Sequence, residues 1–248
     1  MTKIGIIGGS GLDDPDILKQ PEDVKMETEF GKPTSPLKTG LIEGVNVALL
    51  ARHGRDHSIP PTYVNYRANI LAMKKWGCDC ILATTAVGSL REEIQRGDLV
   101  ILDQFIDFTR RRDISLFESF KGGPVHTPMP DPFDENLRRL LIESAEQLDI
   151  PHHKKGTVVT IEGARFSTRA ESHMFRKWGA DVINMSVAPE CIIANEAQIP
   201  YAAVAMSTDY DCWKEDEEPV SWDGILEIFK ANVEKVIRLL TKTVPKIK

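Results

Sequence analysis

The sequence has 248 residues, of which 42% are hydrophobic and 27% charged, and its formal net charge is −6. This length supports one large domain or two small ones, and the composition argues against a disordered chain. The net acidity argues against a nucleic-acid partner, and we interpret the basic run at 110–112 as a solvated loop. Apolar runs such as 201–206 are far shorter than the roughly 18 residues of a membrane span, so we expect a cytoplasmic protein with no membrane partner.

Short apolar runs alternate with amphipathic segments along the chain. Continuous β-branched runs predict strands and apolar residues at helical spacing predict helices, with Gly77 ending the first helix and Thr168 and Glu171 forming a capping box. The predicted strands are 3–7, 45–51, 80–83, 99–102, 157–161, 182–185 and 201–206, and the predicted helices are 65–76, 134–148, 168–179, 189–197 and about 221–243.

This alternation predicts an α/β fold with a largely parallel or mixed sheet. No repeat or linker divides the sequence, so we expect a single domain over residues 1–248. Residues 107–133 show no clear period, which is typical of a functional loop or an interface.

The four cysteines predict buried thiols, because they are too few for a disulfide scaffold and lack the paired C-x-x-C spacing of a zinc site. Cys78 and Cys80 would face the same side of a strand. A strained bridge between these two in a heat-adapted protein is the alternative interpretation.

Three polar segments follow predicted strands, where ligands bind in α/β sheets. The glycine-rich segment 8–11 can offer backbone N–H groups to an anion, although a plain tight turn is the alternative, and a dinucleotide fingerprint fails at Asp14. Arg52 and His53 can add hydrogen bonds to phosphate, and the run 84–86 adds hydroxyls. Together they predict one small-anion site. A zinc site at His53 and His57 is disfavoured by the intervening glycine and the prolines that follow.

Asp209 and Asp211 follow the strand predicted at 201–206. They are either solvated acids of a surface turn or a pair in a dry pocket, where one carboxyl with a raised pKa gives a proton and the other accepts hydrogen bonds. Phe166 is either a core aromatic or a surface on which a base stacks.

Seven segments carry a family resemblance: GIIGGSG at 5–11, RHGRDH at 52–57, NYRAN at 65–69, TTAVGS at 84–89, EGARFSTRAE at 162–171, NMSVAPE at 184–190 and TDYDCW at 208–213. In this order, from residue 3 to about 245, the chain resembles the 5'-methylthioadenosine phosphorylases, of the trimeric branch of the purine nucleoside phosphorylases. The resemblance implies a nucleoside phosphorylase fold, with a central mixed sheet flanked by helices. It also implies a homotrimer or a dimer of trimers.

The implied reaction is phosphorolysis, a pentosyl transfer of methionine and purine salvage. Inorganic phosphate, the co-substrate, attacks C1' of methylthioadenosine and releases adenine and 5-methylthioribose 1-phosphate, with no organic cofactor and no metal. Carried over by position, the phosphate-binding residues are Ser10, Arg52, His53, Thr85, Ala86 and Ser186. The nucleoside-binding residues are Phe166, Ser167, Met185, Asp209, Asp211, His126, Val220 and Trp222. The residues implied to be catalytic are Asp209, Asp211 and Ser186.

Departures from the family pattern leave other substrates open. Ala164 replaces a proline, Ser186 replaces the commoner threonine, and Trp222 stands where a small aliphatic residue is usual. The sequence also ends without the longer tail that covers the 5' pocket in some members, and His126 would reach that pocket from a neighbouring subunit. The alternatives are a broader adenosine or 5'-deoxyadenosine phosphorylase, a 6-oxopurine phosphorylase, and a non-catalytic nucleotide-binding protein.

Overall fold

Strands and helices alternate along the chain as the sequence predicts. A computed structural model describes residues 1–9, 17–216 and 222–248, with side chains described outside 222–231. The strands are β1 (Lys3–Gly8), β2 (Lys19–Val24), β3 (Leu37–Ile42), β4 (Val45–Ala51), β5 (Cys80–Ser89), β6 (Leu99–Ile101), β7 (Gln104–Phe108), β8 (His152–His153), β9 (Thr157–Ile161), β10 (Val182–Asn184) and β11 (Tyr201–Tyr210). The α-helices are α1 (Tyr66–Trp76), α2 (Glu135–Gln147), α3 (Arg169–Lys177), α4 (Val187–Glu196) and α5 (Trp222–Thr243).

Within the described residues, the strands form one mixed sheet with β5 at its centre. The main path runs β2-β3-β4-β1-β5-β10-β9-β7, and β5 also pairs with β11, which continues to β6 and β8. The β1–β4, β1–β5 and β5–β11 pairs are parallel, whereas β10 runs antiparallel to β5. The ends of β4, β5 and β11 therefore open toward the same edge, and this arrangement creates the site described below.

Local sequence signals fix the helix ends. The Asn65 side chain accepts a hydrogen bond from the backbone of Ala68 at the start of α1, and Gly77 ends this helix with a left-handed φ of 89°. Thr168 and Glu171 form the predicted capping box of α3. Asp134 caps α2. These signals are local in sequence, so they identified the helices correctly.

Apolar side chains fill both faces of the sheet. One cluster joins α1 and α4 to the sheet through residues such as Ile70 and Ile193, both fully buried. A second cluster joins α2 and α5 through Leu141 and Leu240, also fully buried. Because helices cover both faces, the central strands are apolar along most of their length.

Several sequence predictions need correction. β5 and β11 continue through 84–89 and 207–210, where the sequence indicated loops. The short strands β2, β3, β7 and β8 were not predicted. Cys78 and Cys80 are free thiols, so the bridged alternative is wrong. Of the segment 107–133, Asp107 and Phe108 belong to β7, and residues 109–133 contain no helix or strand, as expected. Among the described helices, none combines the length and apolar composition needed to cross a membrane.

Candidate active site

A cavity of about 510 Å³ opens where β4, β5, β10 and β11 end. Its volume lies within the range of pockets that bind small molecules. Ten of the predicted site residues line it: Arg52, His53, Thr85, Ala86, Phe166, Ser167, Met185, Ser186, Asp209 and Asp211. The sheet topology thus gathers residues that are up to 159 positions apart in the sequence.

Arg52 and Glu190 form a buried ion pair in the wall of the cavity. Arg52 is 1% exposed, and its Nε and Nη2 donate to the two carboxylate oxygens of Glu190, each at 2.8 Å. Nη1 donates to the Thr84 carbonyl at 2.9 Å. Burial by itself would lower the pKa of Arg52, but the Glu190 carboxylate holds it above its usual value. A guanidinium carries two hydrogens on Nη1, so one is left to contact an anion.

His53 packs beside Arg52 with one ring nitrogen engaged. Its Nδ1 lies 2.9 Å from the Ile59 carbonyl, which can only accept, so Nδ1 carries a hydrogen. Burial, together with the positive charge of Arg52, lowers the pKa of His53 to about 4. A neutral His53 therefore presents Nε2 as an acceptor. The donor role predicted from the sequence requires protonation, which the negative charge of a neighbouring anion favours.

Hydroxyl groups and a helix N-terminus lie in the same part of the cavity. Ser186 is the N-cap residue of α4, yet its side chain makes no capping hydrogen bond. Thr85 Oγ1 accepts from Asn184 Nδ2 and donates to the Ala86 carbonyl, both at 3.2 Å. The positive end of a helix dipole and the Arg52 charge both favour a bound anion. This part of the cavity is therefore suited to phosphate.

Asp209 occupies a different part of the lining, at the end of β11. Burial raises the pKa of Asp209 to about 6. A hydrogen bond from Thr208 Oγ1 to Asp209 Oδ1, at 2.7 Å, acts in the opposite direction, and the negative charge of Asp211 adds a smaller upward effect. A carboxyl group with a pKa near neutrality can donate a proton at physiological pH. The interpretation of Asp209 as a solvated surface acid is wrong.

Asp211 and Ser167 form a hydrogen-bonded pair beside Asp209. Asp211 is 5% exposed, and Ser167 Oγ lies 2.7 Å and 2.6 Å from its two carboxylate oxygens. The Asp211 backbone N–H donates to the Ser89 carbonyl at the end of β5. A Cβ at Gly88 would lie 3.2 Å from Asp209 Oδ2, so a glycine in β5 allows the close approach of β11.

Phe166, in the irregular segment at 162–168, and Met185, after β10, both line the cavity. Phe166 is 49% exposed and lines the cavity, so its interpretation as a core aromatic is wrong. Met185 packs tightly on this segment, because a Cβ at Gly163 would lie only 2.8 Å from Met185 Sδ. An aromatic ring and a thioether provide apolar surface for a flat base and a sugar.

Of the remaining predicted site residues, His126 is the one whose side chain the structure describes, and it does not line this cavity. His126 is exposed, packs on Phe120 with ring centroids 5.6 Å apart, and lies outside the described cavity lining. Ser10, Val220 and the side chain of Trp222 lie outside the described residues.

Comparison with known proteins decides the family. Residues 3–245 match the family model of the phosphorylase superfamily. This chain belongs to the phosphorylase superfamily.

Relatives of this phosphorylase are similar over nearly the whole chain. The S-methyl-5'-thioadenosine phosphorylases of Xenopus tropicalis and Danio rerio are 55% and 53% identical to it, over 99% of this chain and 89% of each relative. The methylthioadenosine phosphorylase of Schistosoma mansoni in complex with adenine superposes with a TM-score of 0.95 at 41% identity, over 100% of this chain and 92% of that chain. The predicted family resemblance and the α/β fold class are therefore confirmed.

Sequence interpretation missed three residues that support the phosphorylase site. Glu190 pairs with Arg52, Thr208 contacts Asp209, and Arg112 is buried behind Met185. Thr208 and Glu190 lie within two of the family motifs, TDYDCW at 208–213 and NMSVAPE at 184–190. Their place in these motifs was the signal that could have identified them. Arg112 belongs to the run at 110–112, whose interpretation as a solvated loop is wrong for this residue, since its side chain is 1% exposed. Among the described residues, no cluster of three His, Cys, Asp or Glu side chains could hold a metal ion.

Proposed function

We propose that this protein is a 5'-methylthioadenosine phosphorylase. Phosphate attacks C1' of the nucleoside, the bond from C1' to the purine breaks, and adenine and 5-methylthioribose 1-phosphate leave. The observation that carries the proposal is one cavity lined by the anion-suited residues around Arg52 and by Asp209, whose pKa of about 6 suits proton donation. The relatives named methylthioadenosine phosphorylases support the same substrate.

Asp209 and Asp211 would act on the base. Cleavage leaves the bonding electron pair on the purine, and a protonated Asp209 neutralises this charge by giving its proton to N7. The Asp211 carboxylate accepts a hydrogen bond from the 6-amino group, with Ser167 bridging its oxygens. Asp209 then regains a proton from solvent. The hydrogen of the attacking phosphate is released to solvent, so the protons balance.

Six residues would hold phosphate in line with C1', where positioning supplies much of the rate. They are Ser10, Arg52, His53, Thr85, Ala86 and Ser186. Met185 would form the floor under the ribose, and Phe166 would stack on the base. These groups perform the reaction without a metal or an organic cofactor, with phosphate itself as the second substrate.

The carboxylate pair favours adenine over 6-oxopurines. The family resemblance implies that members cleaving inosine and guanosine carry glutamate and asparagine at the positions of Ser167 and Asp209. A carboxylate facing the O6 of hypoxanthine would meet an acceptor, and a mismatched polar pair costs binding strongly. Adenosine remains the second candidate substrate, because solved relatives are named adenosine/methylthioadenosine phosphorylases.

We propose that the protein acts in the cytoplasm as a homotrimer or a pair of trimers. Large apolar side chains at Tyr63, Phe120 and Val125 are 44% to 68% exposed in one chain, which is typical of surfaces that another subunit covers. His126 would then reach the neighbouring 5' pocket, to which the family resemblance also assigns Val220 and Trp222.

The test is the initial rate of base release from methylthioadenosine, adenosine, inosine and methylthioinosine, each with and without phosphate. We expect phosphate-dependent cleavage of methylthioadenosine to exceed that of both oxopurine nucleosides. Asp209→Asn should reduce the turnover of adenine nucleosides by about 100-fold or more, and that of inosine far less. Base release that does not respond to phosphate would contradict the proposal.

A further inference from the structure

Arg112 is a buried cation in an otherwise irregular and polar stretch. Its side chain is 1% exposed, although Arg110 and Arg111 beside it are exposed. Burying a guanidinium is costly unless partners replace its water. The partners of Arg112 therefore indicate why it lies there.

Three hydrogen bonds from Arg112 reach one residue that lines the cavity, Met185, and two residues that lie outside its lining, Glu162 and Tyr66. Nε donates to Glu162 Oε1 at 2.6 Å, Nη1 to the Tyr66 hydroxyl at 2.8 Å, and Nη1 also to the Met185 carbonyl at 3.1 Å. Glu162 begins the segment that carries Phe166 and Ser167. The Met185 carbonyl belongs to the residue proposed as the sugar floor.

The partners of Arg112 are themselves held by further hydrogen bonds. Thr62 Oγ1 donates to Glu162 at 2.6 Å and lies 3.0 Å from the Gly163 carbonyl, while the Tyr66 hydroxyl donates to the Pro61 carbonyl at 3.2 Å. Backbone N–H groups of residues 110 and 111 donate to the other Glu162 oxygen, each at 3.0 Å. Burial alone would raise the pKa of Glu162, but these hydrogen bonds hold it at about 2, so the pair stays charged.

We propose that Arg112 is a positioning residue that sets the distance between the sugar floor at Met185 and the base-binding segment at 162–168. The proposal rests on the proposed function, since it assigns these two walls to the two parts of a nucleoside. A planar guanidinium reaches three acceptors in fixed directions, which a lysine nitrogen cannot reproduce. Arg112 acts through Glu162 and Met185 and does not itself touch the reacting atoms.

The experiment compares Arg112→Met and Arg112→Lys with Arg111→Met, which removes an exposed neighbour. Steady-state kinetics give kcat and the KM of each substrate, and hydrogen exchange reports the backbone amides of 163–168 and 185–186. We expect Arg112→Met to raise the KM for methylthioadenosine by about 10-fold or more and to speed exchange in both segments, with the KM for phosphate changed less than about 3-fold. Arg112→Lys should fall between Arg112→Met and wild type, and Arg111→Met should match wild type.

Two results would overturn the proposal. One is an unchanged nucleoside KM with unchanged exchange in both segments. The other is an equal loss for both substrates with faster exchange throughout the sheet, which would indicate a general loss of stability. If the wild-type protein releases no base with phosphate, the proposed function fails, and local exchange at 163–168 and 185–186 still tests the positioning role of Arg112.

Discussion

Asp209 is under two opposing influences at the scale of single residues. Burial raises its pKa to about 6, while the Thr208 hydroxyl at 2.7 Å stabilises the carboxylate form. The balance keeps the group protonated in a fraction of molecules at neutral pH. The hydroxyl thus sets the pH range in which Asp209 can give a proton.

Thr208→Val is expected to move the basic limb of the kcat/KM profile to higher pH. Loss of the hydroxyl removes a donor to the carboxylate, so the pKa of Asp209 rises further and the protonated form persists to higher pH. Initial rates measured from about pH 5 to 9 give the pH at which kcat/KM falls on the basic side. Thr208→Ser retains the hydroxyl and serves as the matched control. A limb that stays in place or moves to lower pH in Thr208→Val would contradict this role.

Asp209 also makes stability depend on pH. Its pKa in the folded protein lies above the ordinary aspartate value of 3.8, so its contribution is fully present below pH 3.8 and is lost as pH rises through about 6. Asp209→Asn removes this ionisation, and we expect it to be more stable than wild type by about 2 kcal/mol near pH 8. Urea unfolding at about pH 4 and 8 measures the difference.

The control for the stability measurement is Asp131→Asn, at an exposed aspartate. It should stay within about 0.5 kcal/mol of wild type at both pH values. If Asp209→Asn raises the free energy of unfolding by the same amount at both pH values, ionisation of Asp209 is not the cause of the difference.

Most residues of the site could be predicted because they stand at strand ends in short polar motifs. Arg112 and Glu190 could not, since their partners lie 50 and 138 positions away in the sequence. The residues that neighbour an arginine in the sequence do not indicate whether a distant carboxylate will pair with it in the folded chain. Long-range pairing therefore limits what the sequence predicts at this scale.

At the scale of elements, the strands that differ from prediction do so for two physical reasons. β2 has the sequence KQPEDV and is almost wholly exposed, so it lacks apolar alternation, and its proline fits a sheet edge. β5 and β11 extend through polar residues because they pair with each other as far as Ser89 and Tyr210, and β10 adds a second partner at the end of β5, so backbone groups are satisfied there. The helices α1, α2 and α3 were predicted well because their caps are local.

The Arg52–Glu190 pair joins elements that are distant in sequence. Arg52 follows β4, Glu190 lies in the first turn of α4, and the hydroxyl of Tyr201 in β11 also donates to Glu190 at 2.7 Å. Glu190→Gln would leave Arg52 buried without a counter-charge. We expect the free energy of unfolding to fall by about 3 kcal/mol, measured by urea unfolding.

An exposed ion pair provides the control. Arg139 and Glu143 are 2.7 Å apart on α2 and both are exposed. Glu143→Gln should change the free energy of unfolding by less than about 0.5 kcal/mol. Equal losses in the two variants would mean that burial does not strengthen the Arg52–Glu190 pair.

At the scale of the whole molecule, the proposed trimer predicts complementation between two defective chains. Asp209→Asn disables the base side of its own site, and His126→Ala would disable the neighbour's 5' pocket. Co-expressed chains should therefore form some intact sites, and methylthioadenosine cleavage should exceed the sum of the separate variants. Gel filtration of the 27.8 kDa chain should give the mass of three or six copies. A monomer's mass, or no complementation, would contradict a shared site.

The half-exposed segment that carries Phe166 and Ser167 differs from the buried strands that carry Thr85 and lead to Arg52. Mutations tolerated by a protein concentrate where side chains are exposed. Libraries randomised at 164–167 should consequently keep most clones folded while base selectivity varies. Directed evolution toward nucleosides with altered purine bases, such as those of prodrugs, should therefore begin with this segment. The residues proposed to bind phosphate would stay unchanged.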